Sequence, residues 1–140
     1  MTVVDASVWV SRLVPQDVQH AASRRWLEEQ AAVGNLVISP TLLLAEVAGA
    51  ISRRTGQPEL ARRAVQMLLR LSELRLVPLD SRLGRSAAEL AAEVGLRGAD
   101  AVYVAAAHHL NVPLVTLDRE QRARAGRLVE VQSPGRRGVR

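Results

Sequence analysis

Four carboxylates, those of Asp5, Glu46, Asp100 and Asp118, lie within or directly after apolar segments of this 140-residue chain. Removing a carboxylate from water is costly unless it is paired with a cation or holds a metal ion. The chain has no lysine, so no lysine side chain can neutralise these acids. Carboxylate oxygens suit Mg²⁺ or Mn²⁺, and the absence of cysteine argues against a soft-metal site. The four acids therefore predict a divalent-cation site.

Two of the acids are positioned by predicted strands. Asp5 directly follows the apolar run TVV, and Asp118 directly follows LVTL; both runs are typical of short buried strands. In an open parallel sheet, ligands bind beyond the carboxyl ends of the strands, at the point where the strand order reverses. If the first and fourth strands are neighbours, Asp5 and Asp118 therefore point into the same crevice.

The other two acids are positioned by predicted helices. Asp100 lies at the start of a very apolar helix over residues 98–110, where the helix dipole favours an anion. Glu46 lies on an apolar helix face, because its neighbours three and four positions away are Leu42, Leu43, Gly49 and Ala50. Both helices can lean over the same sheet edge and complete the cluster.

Each acid also has a purely structural interpretation. Asp100 could serve only as a helix N-cap, and Asp5 and Asp118 could be ordinary turn residues at strand ends. Asp80 also follows an apolar strand, and we expect no role for it in the cluster. Glu46 is harder to explain structurally, because buried unpaired glutamate is rare.

Hydrophobic periodicity predicts an α/β domain. Strands are expected over residues 2–5, 36–39, 76–79, 113–118 and 128–131. Helices are expected to begin near residues 6, 17, 40, 58, 81 and 98, and a short arginine-rich helix follows residue 118. Strands that alternate with helices imply a parallel sheet covered on both faces. Pro78 places the third strand at an edge, because proline cannot donate to a ladder.

Composition narrows the class of function. All 19 basic residues are arginine and the formal net charge is +5, which fits a nucleic-acid substrate, although codon composition explains an arginine-rich chain equally well. Arg53, Arg54 and Arg119 are the arginines that we expect to contact this nucleic acid. No export leader or membrane-spanning run is visible, which predicts a cytoplasmic protein without a membrane partner.

The segments VVDASV, AEV, GADAVYVAAA and VTLD together resemble a PIN domain, and more narrowly the VapC-type toxin nucleases of bacterial toxin–antitoxin pairs. The resemblance extends over residues 2 to about 131. It implies a three-layer α/β/α sandwich whose parallel sheet has the strand order 3-2-1-4-5. We accordingly expect a PIN domain over residues 1–132 and a disordered basic tail over residues 133–140.

The resemblance also assigns the residues of the site. The family's acidic quartet corresponds to Asp5, Glu46, Asp100 and Asp118, which would act both as metal ligands and as the catalytic group. Ser7 and Thr116 match hydroxyl positions found beside the first and last acids, whereas Tyr103 stands where many relatives have histidine. The implied reaction is Mg²⁺- or Mn²⁺-dependent RNA hydrolysis by an activated water, which leaves a 5′-phosphate and a 3′-hydroxyl.

The partners follow from the same resemblance. It implies a cognate VapB-type antitoxin that blocks the site, a homodimer and a toxin–antitoxin hetero-oligomer. Trp9 and Trp26 are candidates for partly exposed anchors on the partner surface.

Two other functions compete with the nuclease. One is a non-catalytic PIN-like interaction module. The other is a receiver-type phosphoacceptor domain, which also has acids at strand ends but uses a lysine that this chain lacks.

Overall fold

The computed structural model describes residues 1–135 of the chain. Its strands are β1 Thr2–Val4, β2 Val37–Pro40, β3 Leu74–Val77, β4 Leu114–Val115 and β5 Val131–Gln132. Its helices are α1 Ala6–Leu13, α2 His20–Ala32, α3 Leu42–Thr55, α4 Pro58–Arg70, α5 Ser81–Val94, α6 Gly98–Leu110 and α7 Arg119–Ala125. Helices and strands alternate along most of the chain, as the sequence predicts.

The five strands form one parallel sheet in the order β3-β2-β1-β4-β5, which confirms the predicted fold. In the central pairing, Val3 lies opposite Leu114 and Val4 opposite Val115. The chain adds β2 and β3 on one side of β1 and then β4 and β5 on the other side. Because the strand order reverses between β1 and β4, a crevice opens at their carboxyl ends. Receiver domains have the different order 2-1-3-4-5, and the observed order therefore contradicts the receiver interpretation.

Helix α6 forms the centre of the core. It packs across β1, β2 and β4, and α5 packs on it in turn. All seven residues from Ala101 to Ala107 are buried, so the middle of this helix has no solvent-facing side. Elsewhere α3 contacts β2, α1 and α4, and α1 also contacts α2.

Several predicted boundaries were wrong. Strand β3 ends at Val77, so Pro78 lies just beyond the strand instead of inside it, although β3 is indeed an edge strand. Asp17 is not an N-cap, because α2 begins at His20 and the Asp17 carboxylate instead accepts hydrogen bonds from neighbouring groups. The strand predicted over residues 128–131 is the two-residue β5, which begins at Val131.

The expected role of Trp9 as an exposed anchor is wrong. Trp9 is only 4% exposed and belongs to the hydrophobic core, because α1 is covered by both α2 and α3. Trp26 is half-buried and packs against the edge of that core, so it remains a candidate.

Two further features concern the ends and surfaces of the chain. Pro134 is buried, and residues 136–140 of the predicted tail lie outside the described residues. Within residues 1–135, no helix combines the length and the apolar character that crossing a membrane requires.

Candidate functional site

Asp5 lies at the carboxyl end of β1 and is only 5% exposed. Its backbone N–H continues the ladder by donating to Val115 O (3.0 Å). Its side chain caps α1, because Oδ2 accepts the N–H of Ser7 at 3.1 Å. Burial raises the pKa of Asp5, although hydrogen bonds from Ser7 and Thr116 partly oppose that rise. The fold thus holds a nearly buried carboxylate in a fixed orientation.

Thr116 is the next residue after β4 and therefore stands opposite Asp5 in the parallel register. Thr116 Oγ1 lies 3.1 Å from Asp5 Oδ2 and accepts the Asp118 N–H at 3.0 Å. Ser7 Oγ is 3.4 Å from the same hydroxyl and accepts the Leu117 N–H at 3.0 Å. The two hydroxyls that the resemblance singled out therefore lie between the first and last acids.

Asp118 caps a helix instead of ending a strand. It lies three residues beyond β4, and its Oδ1 accepts the Gln121 N–H at 3.0 Å at the start of α7. Its side chain is only partly buried. The capping contact fixes one oxygen of Asp118 near the mouth of the crevice.

Asp100 is the third residue of α6, and the N-cap position belongs to Arg97. The interpretation of Asp100 as a mere N-cap is therefore wrong. Burial raises the pKa of Asp100 to about 6, and the charges of Asp5, Asp118 and Glu46 contribute to the rise, while the nearby Arg97 opposes it. Asp100 thus shares one electrostatic environment with the other three acids.

Glu46 faces the same crevice from α3. Burial raises its pKa, the hydroxyl of Tyr103 opposes that rise, and the charge of Asp5 adds to it. The Tyr103 hydroxyl lies close enough to Glu46 to affect the Glu46 pKa. The two side chains nevertheless form no hydrogen bond of normal geometry, since the buried atoms Glu46 Oε1 and Tyr103 Oη both lack a partner. Burial and the adjacent Glu46 also raise the pKa of Tyr103, which keeps the phenol neutral. An unpaired buried carboxylate oxygen calls for an additional ligand.

The four acids converge electrostatically but do not form a closed ligand set. Within the described chain, no three side chains of histidine, cysteine, aspartate or glutamate stand close enough together to enclose an ion. Asp80 takes no part, since its Oδ1 accepts the Leu83 N–H (2.9 Å) and caps α5. Asp100 and Asp118 are partly exposed, so their side chains have room to turn toward a shared ligand.

Gln121 is a residue of the site that the sequence did not single out. It is 1% exposed, and its side chain contacts both Thr116 Oγ1 (2.8 Å) and the backbone oxygen of Asp100 (3.4 Å). The sequence Asp-Arg-Glu-Gln resembles a capping box, in which a glutamine three residues after the N-cap bonds back to the cap and stays near the surface. Here the glutamine turns inward instead. In the sequence, the nearby Thr116 was the one hint that Gln121 would have a buried partner.

The three predicted RNA-contacting arginines occupy different surroundings. Arg53 and Arg54 line a groove of about 540 Å³ that also contains Ser7 and Glu46. Arg54 forms an ion pair with Asp17 at 2.9 Å. Arg119 is the exposed first residue of α7, next to Asp118.

A larger cleft of about 840 Å³ lies away from the acids. Its walls include Val112 and Pro113, just before β4, and Glu130 and Val131, at the start of β5. It therefore opens at the amino ends of these strands, opposite the edge where parallel α/β sheets bind ligands. None of the four acids lines it.

Comparison with known proteins identifies the family. The PIN domain family model matches residues 2–127. The chain belongs to the PIN domain family. This assignment spans all four acids of the site. No curated protein matches the sequence significantly.

Solved structures share this fold over nearly the whole chain. VapC20 from Mycobacterium tuberculosis, described as a sarcin–ricin loop cleaving toxin, has 20% identity and a TM-score of 0.79, with 94% of this chain and 99% of that chain covered. FitAcB from Neisseria gonorrhoeae has 19% identity and a TM-score of 0.72, with 96% and 98% covered. VapBC2 from Rickettsia felis, bound to a fragment of its promoter DNA, has 16% identity and a TM-score of 0.72, with 94% and 97% covered.

Proposed function

We propose that this PIN domain is a divalent-metal-dependent endoribonuclease and the toxin of a type II toxin–antitoxin pair. The observation that carries the proposal is the convergence of four carboxylates from four separate elements. Asp5, Asp118 and Glu46 all raise the pKa of Asp100, and the charge of Arg97 opposes them there. Such a concentration of like charge is costly without a counter-ion.

The residues present fit Mg²⁺ or Mn²⁺. Both ions prefer carboxylate oxygen, and the site offers the unpaired Glu46 Oε1 together with three aspartates. When bound, such an ion would activate a water and neutralise charge on the phosphodiester. Asp5, Glu46, Asp100 and Asp118 would hold it. Because the Asp100 side chain is partly exposed, we expect it to rotate on binding.

The chain's own residues organise this site in advance. The Ser7 N–H and the Thr116 hydroxyl fix Asp5, and the Gln121 N–H fixes Asp118. These contacts lower the entropy that is lost when a ligand binds, because the carboxylates need little further ordering. The fully buried, neutral phenol of Tyr103 lies beside Glu46.

RNA is the substrate that we propose, and the cytoplasm is the proposed site of action. The net charge of +5 favours a polyanion around an otherwise acidic centre. The structural similarity to VapC20, which is described as cleaving the sarcin–ricin loop, supports the same class of substrate. The similarity to VapBC2 supports a VapB-type antitoxin, with a homodimer and a hetero-oligomer as the assembled forms.

The direct test replaces single acids by their amides. Asp5→Asn and Asp100→Asn should each reduce RNA cleavage by about 100-fold or more, since even an outer-shell change can cost 10–100-fold. Both variants should also lose growth inhibition on induction. Asp80→Asn is the matched control, because asparagine caps a helix as well as aspartate and Asp80 lies outside the cluster.

The non-catalytic alternative makes the opposite prediction. If the chain is only an interaction module, wild type and Asp5→Asn should be equally inactive on structured RNA with Mn²⁺. Retained cleavage in Asp5→Asn or Asp100→Asn would instead contradict the metal mechanism.

A further inference from the structure

A groove leads away from the acids along α1 and α3. It has a volume of about 540 Å³ and shares Ser7 and Glu46 with the candidate site. Its far end is lined by Arg53 and Arg54. A nucleic-acid strand with one phosphate at the acids would therefore place a neighbouring phosphate among these arginines.

The two arginines are not equivalent. Arg54 Nη1 is held by Asp17 Oδ2 at 2.9 Å, and the hydrogen bonds of Asp17 with Gln19 and Arg54 lower the Asp17 pKa against the effect of burial. Arg53 makes no ion pair or hydrogen bond with any other side chain of residues 1–135. Arg54 is thus committed to a structural contact, whereas Arg53 keeps its donors available.

Gly49 provides the space in which Arg53 lies. Glu46, Gly49 and Arg53 follow one another along a single stripe of α3, at spacings of three and four residues. A Cβ atom at Gly49 would stand 3.0 Å from Arg53 Nη1. The guanidinium therefore folds back along the helix over Gly49, and a methyl group at position 49 would shift it by a few tenths of an ångström.

We propose that Arg53, seated on Gly49, binds a phosphate of the RNA strand that flanks the scissile one. This inference rests on the proposed function, because the groove continues from the proposed catalytic acids. Guanidinium groups bind phosphate through two parallel N–H donors. Contacts of this kind position a strand without reading its sequence. Arg53 accordingly acts on affinity and register, and Arg54 does not.

The experiment measures RNA affinity separately from cleavage. Binding of a fluorescently labelled stem–loop oligoribonucleotide is titrated at several salt concentrations, with Asp100→Asn as the non-cleaving background. Arg53→Gln should weaken binding about tenfold, the effect of losing a charge-assisted hydrogen bond, and should reduce the slope of log K against log salt by about one. Gly49→Ala retains the charge and shifts the guanidinium only slightly, so it should weaken binding much less than Arg53→Gln does.

Arg54→Gln is the matched control and should leave both the affinity and the salt slope unchanged. An unchanged affinity and slope in Arg53→Gln would overturn the assignment, and so would an equal loss in Arg54→Gln. If Arg53→Gln weakens only the complex with a protein partner, the groove is a protein interface and the proposal is wrong. If the wild-type protein cleaves RNA but Arg53→Gln does not change RNA affinity, this inference is refuted and the nuclease proposal still stands.

A second inference concerns Gln121, which connects three of the four acids. Its backbone N–H donates to Asp118 Oδ1 (3.0 Å), and its Nε2 donates to Asp100 O (3.4 Å). Its Oε1 lies 2.8 Å from Thr116 Oγ1, which in turn lies 3.1 Å from Asp5 Oδ2. Gln121 is 1% exposed, and its side-chain amide contacts Thr116 and the Asp100 backbone, both at the site.

The Thr116 hydroxyl has only one hydrogen for two acceptors, Asp5 Oδ2 and Gln121 Oε1. When Gln121 accepts it, Asp5 Oδ2 keeps the hydrogen bond from the Ser7 N–H and has one lone pair left for another ligand. We infer that Gln121 is a positioning residue that sets the separation of Asp5, Asp100 and Asp118 for a divalent cation. Side chains that orient metal ligands typically affect metal affinity by 10–100-fold.

Gln121→Met tests this inference, because methionine keeps the volume and loses both polar contacts. We expect the rise in melting temperature on adding Mn²⁺ to shrink, and the Mn²⁺ dissociation constant measured by calorimetry to increase about tenfold or more. Leu68→Ala is the control: it should lower the melting temperature from a site in the remote core, 1% exposed, while leaving Mn²⁺ affinity unchanged. Wild-type Mn²⁺ affinity in Gln121→Met would overturn the role.

Discussion

At the scale of single residues, the contact between Tyr103 and Glu46 is the least regular part of the site. Tyr103 is fully buried, yet its Oη has no hydrogen bond of normal geometry. Leaving a buried hydroxyl unsatisfied costs about 1–3 kcal/mol. Tyr103→Phe should therefore leave the free energy of unfolding unchanged or raise it by up to about 1 kcal/mol.

Urea denaturation of Tyr103→Phe and wild type measures this difference. RNA cleavage should survive the substitution, because the buried phenol lies beside Glu46 and holds none of the aspartates. A loss of more than about 2 kcal/mol would show that the hydroxyl makes a strong hydrogen bond. That result would contradict the observed geometry.

The titration of Asp100 gives a second prediction at this scale. Its pKa is about 6 in the folded protein against 3.8 ordinarily, mainly because of burial. A raised carboxyl pKa means that the folded state holds this proton more tightly than the unfolded chain does. Its contribution to stability is thus fully present below pH 3.8 and is lost as the pH rises through about 6.

Melting temperatures of metal-free wild type and Asp100→Asn test this sign. The variant should melt higher than wild type at pH 7.5, and the difference should fade toward pH 4. Mn²⁺ should reverse the order at pH 7.5, since only wild type gains the complete ligand set. An Asp100→Asn variant that is equally stable to wild type at every pH would contradict the mutual repulsion of the acids.

At the scale of elements, helix α6 sets the spacing between the sheet and the site. It carries Asp100 near its start and packs against three strands. Ala105 is 0% exposed, so Ala105→Leu should destabilise the protein by about 1–3 kcal/mol through overpacking. Ala88, on the exposed face of α5, offers a matched control in which the same substitution should change stability by less than about 0.5 kcal/mol. Thermal unfolding of both variants checks this prediction.

Equal stability of the Ala105→Leu and Ala88→Leu variants would contradict the packing of α6. Loss of cleavage in Ala105→Leu together with normal stability would show that α6 positions Asp100 more delicately than its burial suggests.

The sequence predicts the strands that matter most for the site. The runs TVV and LVTL identify β1 and β4, and their parallel pairing puts Asp5 beside Thr116. Periodicity cannot show where a short strand ends, because hydrogen bonding across the sheet decides it. The apolar Leu117 made β4 look longer than its two residues, so Asp118 was expected at a strand end and is instead an N-cap.

Side-chain direction is less predictable than element type. Trp9 was expected near the surface, but α2 and α3 both cover α1, a tertiary contact that local sequence does not encode. Gln121 was overlooked because its inward rotamer depends on Thr116 and Asp100, which approach it only after folding. The distinction between Arg53 and Arg54 similarly depends on Asp17, 37 residues away from Arg54.

At the scale of the whole molecule, an arginine-rich surface surrounds an acidic crevice at the switch point of a PIN domain. The net charge favours a polyanion. Under the proposed function, the crevice would need a divalent cation before a phosphodiester could approach its four carboxylates. RNA binding and metal binding would therefore both be needed for cleavage. Removing the metal should therefore abolish cleavage more completely than it weakens RNA binding, which the arginines support.

The most direct test of this account is cleavage of a structured RNA by the purified wild-type chain, followed by analysis of the new ends. We predict cleavage with Mn²⁺ or Mg²⁺, none with EDTA, and recovery when Mn²⁺ is restored. The products should carry 5′-phosphate and 3′-hydroxyl ends, as attack by an activated water requires. Full cleavage in EDTA, or products with 2′,3′-cyclic phosphate ends, would contradict the four-carboxylate metal mechanism.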